Sequence, residues 1–578
     1  MRHQRMVSAV GALALGLTGL AATTTATAVP TADTGASAPA SGERTSYVVL
    51  ADRGGSATAL ATRLKAKGAI VTSVNDKVGM VTVTSTDARF AQQARAMKGV
   101  FGAADEGVVG RSPSAPAKRK DAVERPDLAA GPSKGKGHGK GTKGPDPLDE
   151  KLWGMDMIEA PAAQKIESGD KRVKVGIIDT GVDGSHPDIA PNFDRRLSRN
   201  FTTDIPEIDG PCEVESCVDP ADVDNGGHGT HVAGTVAAAR NGIGVSGVAP
   251  DVSIVNMRAG QDAGYFFVGP TVNALTGSAD AGLDVVNMSF YVDPWAYYCT
   301  DGAPEDSPEE AAEQNLIIES MSRALRYAHS KDVTMVGALG NAATDLANPG
   351  SDDSSPNYPE GNAHPRTIDN ASCMDLPVEG PHVIGVSSVG PSERKSYFSN
   401  YTSDLTSDEI EISAPGGDSR EYFGTPDYRS PANLILSSVP ENVVKAEGSV
   451  DEDGNVTEEA EGSVFKDCGK YRGKERCGYY EYYQGTSMAS PHAAGVAALI
   501  VSRYGKQDGR DGFGLDAERT REIIMGSARD KACPEPRTMV YPGLPESYTA
   551  ECVGDADFNG FYGDGIINAL AAVAPKKR

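Results

Sequence analysis

Gln484-Gly485-Thr486-Ser487-Met488-Ala489-Ser490-Pro491-His492, followed by the apolar run Ala493 to Tyr504, reads as a small-residue turn running straight into a helix. A serine at that junction can sit at the helix start with its hydroxyl exposed. The first turn of a helix carries unpaired N–H groups and about half a positive charge, which favours an anion developing there. A serine hydroxyl is a poor nucleophile at neutral pH unless a base takes its proton, so Ser487 needs a base, an orienting carboxylate and oxyanion donors.

Two stretches upstream offer them. Val173-Lys174-Val175-Gly176-Ile177-Ile178-Asp179-Thr180-Gly181-Val182-Asp183 is a buried strand ending in an acid. Gly227-His228-Gly229-Thr230-His231-Val232-Ala233-Gly234 sets a histidine at the start of a small-residue helix. In the order Asp, His, Ser, the three motifs resemble the subtilisin family of serine peptidases, over roughly the last three-quarters of the chain. Three long motifs in the right order leave chance a poor rival.

The resemblance implies roles residue by residue. Ser487 is the nucleophile, with Ser490 as its near neighbour, and His228 is the general base and then the general acid. Asp179 holds the His228 tautomer. The rivals His231 and Asp183 are read as structural and as a local turn contact. Asn341, in Gly337-Ala338-Leu339-Gly340-Asn341, is the oxyanion donor. Val285 to Phe290 resembles the strand that pairs with extended substrate, which makes Ser289, Phe290, Leu339 and Gly340 substrate-binding candidates. Here the chain departs from the family: Ser289-Phe290-Tyr291 stands for a usual Ser-Leu-Gly, and Leu339 for a second small residue. The added bulk predicts narrow pockets and a narrow specificity.

Strands and helices alternate from Trp153 onward. The expected fold class is therefore α/β, a mostly parallel sheet with helices on both faces, and the resemblance implies its subtilisin-like form. Three segments look inserted and read as surface loops: Val292–Glu310, Thr344–Gly380 and Gly417–Gly478. Ahead of the peptidase, residues 45–110 follow a β-α-β-β-α-β order with a last strand at Val108-Val109, a small α+β ferredoxin-like unit. It resembles the family's propeptide, which implies an intramolecular chaperone and inhibitor.

The N-terminal 28 residues read as a signal peptide. Arg2 and Arg5 precede an apolar run from Met6 to Ala22, and Ala26-Thr27-Ala28 offers a cleavage site. That run is short for a membrane span, and no later run reaches spanning length. The expected organisation is signal 1–28, propeptide 29–110, a flexible basic linker 111–147, and a peptidase domain 148–578. Such a protein is secreted.

Charge agrees with pieces that have separate fates. Residues 1–144 hold 20 Lys+Arg against 10 Asp+Glu, while the chain as a whole carries −25. The acidic body argues against nucleic acid as a partner. All eight cysteines follow residue 200. In an exported protein this suggests disulfides, and the close pairs Cys212/Cys217, Cys468/Cys477 and Cys533/Cys552 leave Cys299 with Cys373, one of 105 connectivities. No Cys-x-x-Cys supports a zinc site, so no metal ligand is assigned.

The expected function is a secreted serine endopeptidase made as a zymogen. Its partners are a protein or peptide substrate and its own propeptide, with no membrane anchor, and its chemistry requires no cofactor. The resemblance allows structural calcium. Asp555-Ala556-Asp557-Phe558-Asn559-Gly560 imitates an EF-hand start but places Ile566 where glutamate is required, and Asp451 to Asn455 lacks the glycine spacing. The rival readings are a non-catalytic exported binding protein on the same scaffold and a dedicated processing protease for one precursor.

Overall fold

The computed structural model describes residues 44–106, 123–126, 128, 146–407, 409–471, 473–508 and 512–575. The expected signal peptide, most of the linker and the strand expected at Val108-Val109 lie outside them.

The N-terminal unit is a four-stranded antiparallel sheet with two helices, Ala57–Lys65 and Phe90–Arg95. Its strands run in the order Ile70–Asn75, Met80–Ser85, Thr45–Ala51, Val100–Asp105. The last strand therefore falls earlier than the sequence reading put it. The two-residue period of a strand sends alternate side chains to opposite faces. Tyr47, Val49, Val81 and Val83 pack on the unit's own helices through Leu60, Leu64 and Phe90. Val48, Leu50, Met80 and Ala104 point the other way and join one apolar cluster with Leu275, Leu316, Ile317 and Met321.

Those last four residues belong to the helices Val268–Asp280 and Pro308–His329 of the larger body. The second of these begins with a capping box, Ser307 with Glu310, as its Ser-Pro-Glu-Glu start encodes. Polar contacts frame the shared core. Arg53 forks onto Glu319 at 2.6 and 2.7 Å. Arg323 donates to the carbonyls of Ala51 and Val78, both at 2.9 Å. Glu106 accepts from the Gly269 N–H at 2.7 Å, in the first turn of the Val268–Asp280 helix.

The larger body is built on a seven-stranded sheet. Its order is Ile412–Pro415, Val383–Val389, Thr334–Ala338, Val285–Met288, Lys174–Ile178, Ser253–Arg258, Arg199–Asn200. Every pairing in it is parallel. Strands covered on both faces read as continuous apolar runs, as Val173 to Ile178 does. The Thr486–Tyr504 helix is buried from Thr486 through Val501, which explains its apolar residues on all sides. Together these are an α/β fold built on a parallel sheet. Among the described residues, no helix is long and apolar enough to cross a membrane.

Two departures concern the expected surface loops. Ile435–Val439 and Val464–Tyr471, within 417–478, flank Lys474–Tyr483, which starts inside that segment and runs past it, in a three-stranded antiparallel sheet with Tyr479, Tyr480, Tyr482 and Tyr483 buried. Acidic, Gly-rich connections on either side masked these strands. Within 344–380, Cys373–Met374 pairs antiparallel with Tyr298–Cys299. The four disulfides are Cys212–Cys217, Cys299–Cys373, Cys468–Cys477 and Cys533–Cys552, as the spacing suggested.

Candidate active site

Asp179 follows directly on the Lys174–Ile178 strand, at the carboxyl edge where ligands of such sheets gather. It is fully buried. Its Oδ1 accepts from the Thr180 N–H at 2.8 Å and lies 2.7 Å from His228 Nδ1. His228 opens the helix His228–Ala237. Asp224, missed in the sequence reading, caps that helix. Its Oδ1 accepts from the Gly226 and Gly227 N–H groups, and its Oδ2 from the Thr230 N–H and hydroxyl. An acid four residues ahead of the histidine, in Asp-Asn-Gly-Gly-His, is the helix-start signal that could have found it.

Gly229 shows how closely the two segments approach. A Cβ there would sit 2.1 Å from the Gly181 carbonyl oxygen and 2.9 Å from Asp179 Cβ. Gly229→Ala must therefore spread the acid and the histidine apart, and overpacking of this kind costs about 1–3 kcal/mol. The expected result is a lower thermal midpoint, measured in a Ser487→Ala background to suppress autolysis. An unchanged midpoint would contradict the packing described.

Ser487 lies in the first turn of the Thr486–Tyr504 helix and is buried. Its hydroxyl donates to the Ser289 carbonyl at 3.3 Å. Ser289 in turn donates from its own hydroxyl to the Ser487 carbonyl at 2.9 Å and lies 2.8 Å from the Ser490 hydroxyl. The substrate-strand candidate and the serine helix are thus stitched together. Asn341 follows the Thr334–Ala338 strand, and its Oδ1 accepts from the Thr486 N–H and hydroxyl, both at 2.9 Å. That fixes the amide's orientation with its Nδ2 on the side of Gly485.

The remaining candidates are distributed differently. Phe290 is buried and stacks on Phe266, with ring centroids 4.2 Å apart. Leu339 is fully buried in a cluster with Tyr297, Val378 and Ile410. Its bulk is therefore spent behind the strand. Gly340 is half-buried, and its N–H donates to the Thr486 hydroxyl at 3.1 Å. His231 stacks on Tyr483 at 4.4 Å with its Nε2 3.1 Å from the carbonyls of Ile435 and Glu481. Burial pushes its pKa down to about 3, so it stays neutral. Asp183 accepts from Ser185 in a local turn.

Residues 123–126 of the linker lie against this site. The Gln484 N–H donates to the Glu124 carbonyl at 3.0 Å, and the Gln484 side-chain amide donates to the Val123 carbonyl at 2.7 Å. Arg125 pairs with Glu447 and with the Tyr483 hydroxyl. The Glu124 carboxylate is buried, with Oε1 3.4 Å from His228 Nε2. No hydrogen bond joins Ser487 to His228 among the described residues. Burial alone would push the imidazole pKa down, but Asp179 and then Glu124 outweigh it and hold His228 well above its ordinary value.

Asp204, Glu213, Asp219 and Asp262 converge. The Arg258 guanidinium already occupies their midst, 2.6–2.8 Å from Asp204, Asp219 and Asp262, where it serves as the counter-charge. The Asp451 carboxylate caps the Asn455 N–H, and that of Asp555 caps the N–H groups of Asp557 and Phe558.

Residues 170–565 match the family model described as the subtilase family. The chain is 26% identical over 420 residues to subtilisin DY of Bacillus licheniformis, covering 73% of this chain and 97% of that one. It is 28% identical over 363 residues to fervidolysin of Fervidobacterium pennivorans, covering 62% of this chain and 38% of that one. Among solved structures, the epidermin leader peptide processing serine protease of Staphylococcus aureus has the same fold. Its TM-score is 0.58 at 18% identity, covering 92% of this chain and 98% of that one.

Proposed function

The chain belongs to the subtilase family and is a serine-type endopeptidase; from that premise we propose that Asp179, His228 and Ser487 are its catalytic triad and that it is secreted as a zymogen. The observation that carries this reading is the 2.7 Å contact of His228 Nδ1 with buried Asp179, to which Glu124 links the start of the Ser487 helix through Gln484. His228 takes the Ser487 proton as the hydroxyl attacks the scissile carbonyl. The Asn341 amide and the Ser487 N–H receive the oxyanion. His228 then protonates the leaving amine, and water releases the acyl group by the reverse sequence. These steps use only side chains, backbone and water.

The test is a fluorophosphonate probe on the exported protein, with the adduct mapped and the mature N-terminus read in the same run. An adduct on Ser487, with an N-terminus inside residues 111–150 that the Ser487→Ala variant fails to generate, is the expected result. Processing without any adduct overturns the reading and favours a binding protein on this scaffold.

The zymogen reading draws on Glu124. Its carboxylate lies at the His228 nitrogen that must take the serine proton, and it favours the charged imidazole, which cannot act as a base. Because the His228 pKa is raised in the intact chain, this hold is fully present below the ordinary histidine range. It is lost as pH rises through the raised value. Glu124→Gln removes the charge. Unprocessed precursor carrying it should label with the probe roughly tenfold faster at neutral pH, the scale of one charged contact. Equal labelling rates for the two precursors would show that Glu124 does not restrain the site.

A further inference from the structure

Arg125, one residue past Glu124, lies in a pocket that the chemistry above does not use. Its guanidinium pairs with the Glu447 carboxylate through Nη1 and donates to the Tyr483 hydroxyl through Nη2. The guanidinium carbon lies 4.5 Å from the centroid of the Tyr483 ring. The same hydroxyl donates to Glu481 Oε2 at 3.3 Å, so it accepts from the cation while it serves a second carboxylate. An acid, a polarised hydroxyl and an aromatic ring around one planar cation are the contacts that a guanidinium, and no other side chain, can make together.

Both walls of this pocket are anchored on the histidine helix and its approach, not on the linker. Glu447 caps the end of the helix Glu441–Ala446. In that helix the Asn442 side-chain amide donates to the Asp224 carbonyl at 3.2 Å and to Asn225 Oδ1 at 2.8 Å. A Cβ on Gly227 would lie 3.0 Å from Val443 Cγ1, so the helix packs directly ahead of His228. Tyr483 ends the strand Lys474–Tyr483, is buried, and stacks on His231 of the histidine helix with ring centroids 4.4 Å apart. Departure of the linker would leave these walls standing, with two carboxylates and a ring that have lost their cation.

The linker also shows how a peptide reaches the pocket. Gln484 donates its N–H to the Glu124 carbonyl at 3.0 Å and its side-chain amide to the Val123 carbonyl at 2.7 Å. Those bonds hold backbone, so a peptide of another sequence can make them too. The Glu124 carboxylate lies 3.4 Å from His228 Nε2. In the proposed mechanism that nitrogen hands its proton to the leaving amine, so a chain held against it runs on the leaving-group side of the scissile bond. We propose that Glu447, Tyr483 and Glu481 form a specificity subsite on that side, that it takes an arginine side chain of the substrate, and that Arg125 fills it in the intact chain. Lysine is the poorer occupant, since an ammonium offers a point charge where the guanidinium can fork between carboxylate and hydroxyl. The inference rests on the active-site reading given above.

The experiment uses the processed protein and a set of peptides in which a single arginine is walked along both sides of the scissile bond. Each peptide is paired with its lysine, glutamine and glutamate counterparts, and fluorophosphonate labelling of Ser487 is measured in parallel. At one position after the bond, the arginine peptide should be cleaved about tenfold better than the glutamine peptide, the scale of one charged hydrogen bond. Glu447→Gln should remove most of that advantage, and Tyr483→Phe, which keeps the ring and deletes the hydroxyl, should remove less. Glu447→Lys should speed cleavage of the matching glutamate peptide relative to wild type, which a merely structural loss would not do. Full labelling with no arginine advantage at any position after the bond overturns the subsite and leaves the peptidase intact. An arginine advantage found only before the bond overturns its placement on the leaving-group side. An advantage that persists unchanged in labelled Glu447→Gln and Glu447→Lys proteins overturns the assignment to Glu447. Absence of both labelling and cleavage in the wild type overturns the active-site reading, and the subsite with it.

Discussion

Replacing Ser487 by alanine should lower peptide turnover on the order of 10⁶-fold, the scale known for loss of the serine or histidine in subtilisin. The reason lies in how little survives the change. His228 and Asp179 would keep their 2.7 Å contact, since neither depends on the serine hydroxyl, but no nucleophile would remain to receive the carbonyl. Folding should be nearly untouched, because among the described residues the lost hydroxyl makes only the 3.3 Å hydrogen bond to Ser289. Combining Ser487→Ala with His228→Ala should cost scarcely more than either alone, since the groups act as one unit. Turnover with a small peptide, measured on material shown by circular dichroism to be folded, decides the matter. Loss of less than about tenfold in the folded variant would place the nucleophile elsewhere.

Asn341→Leu is the second large effect. It should lower kcat by ~10²–10³ with little change in KM, as expected when a donor aimed at the oxyanion is removed. Leucine keeps the volume and deletes the amide. The Thr486 N–H and hydroxyl would both lose their acceptor, which adds a stability cost of about 1–3 kcal/mol for a buried unsatisfied donor. The two consequences separate experimentally: kcat is read at a temperature well below the unfolding midpoint, and the midpoint is read independently. A rise in KM at constant kcat would mean that Asn341 binds substrate without favouring the transition state.

The central sheet was legible because its strands are buried on both faces and so read as mostly apolar runs ending at punctuating residues such as Asp179. The His228 and Ser487 helices announced themselves through small residues and glycine. The sheet formed by Ile435–Val439, Val464–Tyr471 and Lys474–Tyr483 did not, because its strands are separated by acidic connections with no regular period. Nor could the local sequence place the Cys373–Met374 strand, which the chain brings beside Tyr298–Cys299 by folding back, and such long-range placement leaves no trace in spacing. The same holds for Glu124, an ordinary residue in a basic stretch until it is found at His228. Leu339 shows the converse: a bulky residue in a motif says nothing of which way its side chain turns.

The apolar cluster that joins Val48, Leu50, Met80 and Ala104 to Leu316, Ile317 and Met321 bears on timing. Cutting the linker severs one covalent connection but leaves that cluster intact, so scission and separation become two distinct events. The first is a reaction with a rate; the second is the escape of a whole domain from an oily contact, with its own lifetime. Between them the proposed zymogen would exist as a nicked but still assembled pair, and the delay before free enzyme emerges would depend on how long that cluster and the Arg53–Glu319, Arg323 and Glu106–Gly269 contacts around it hold together.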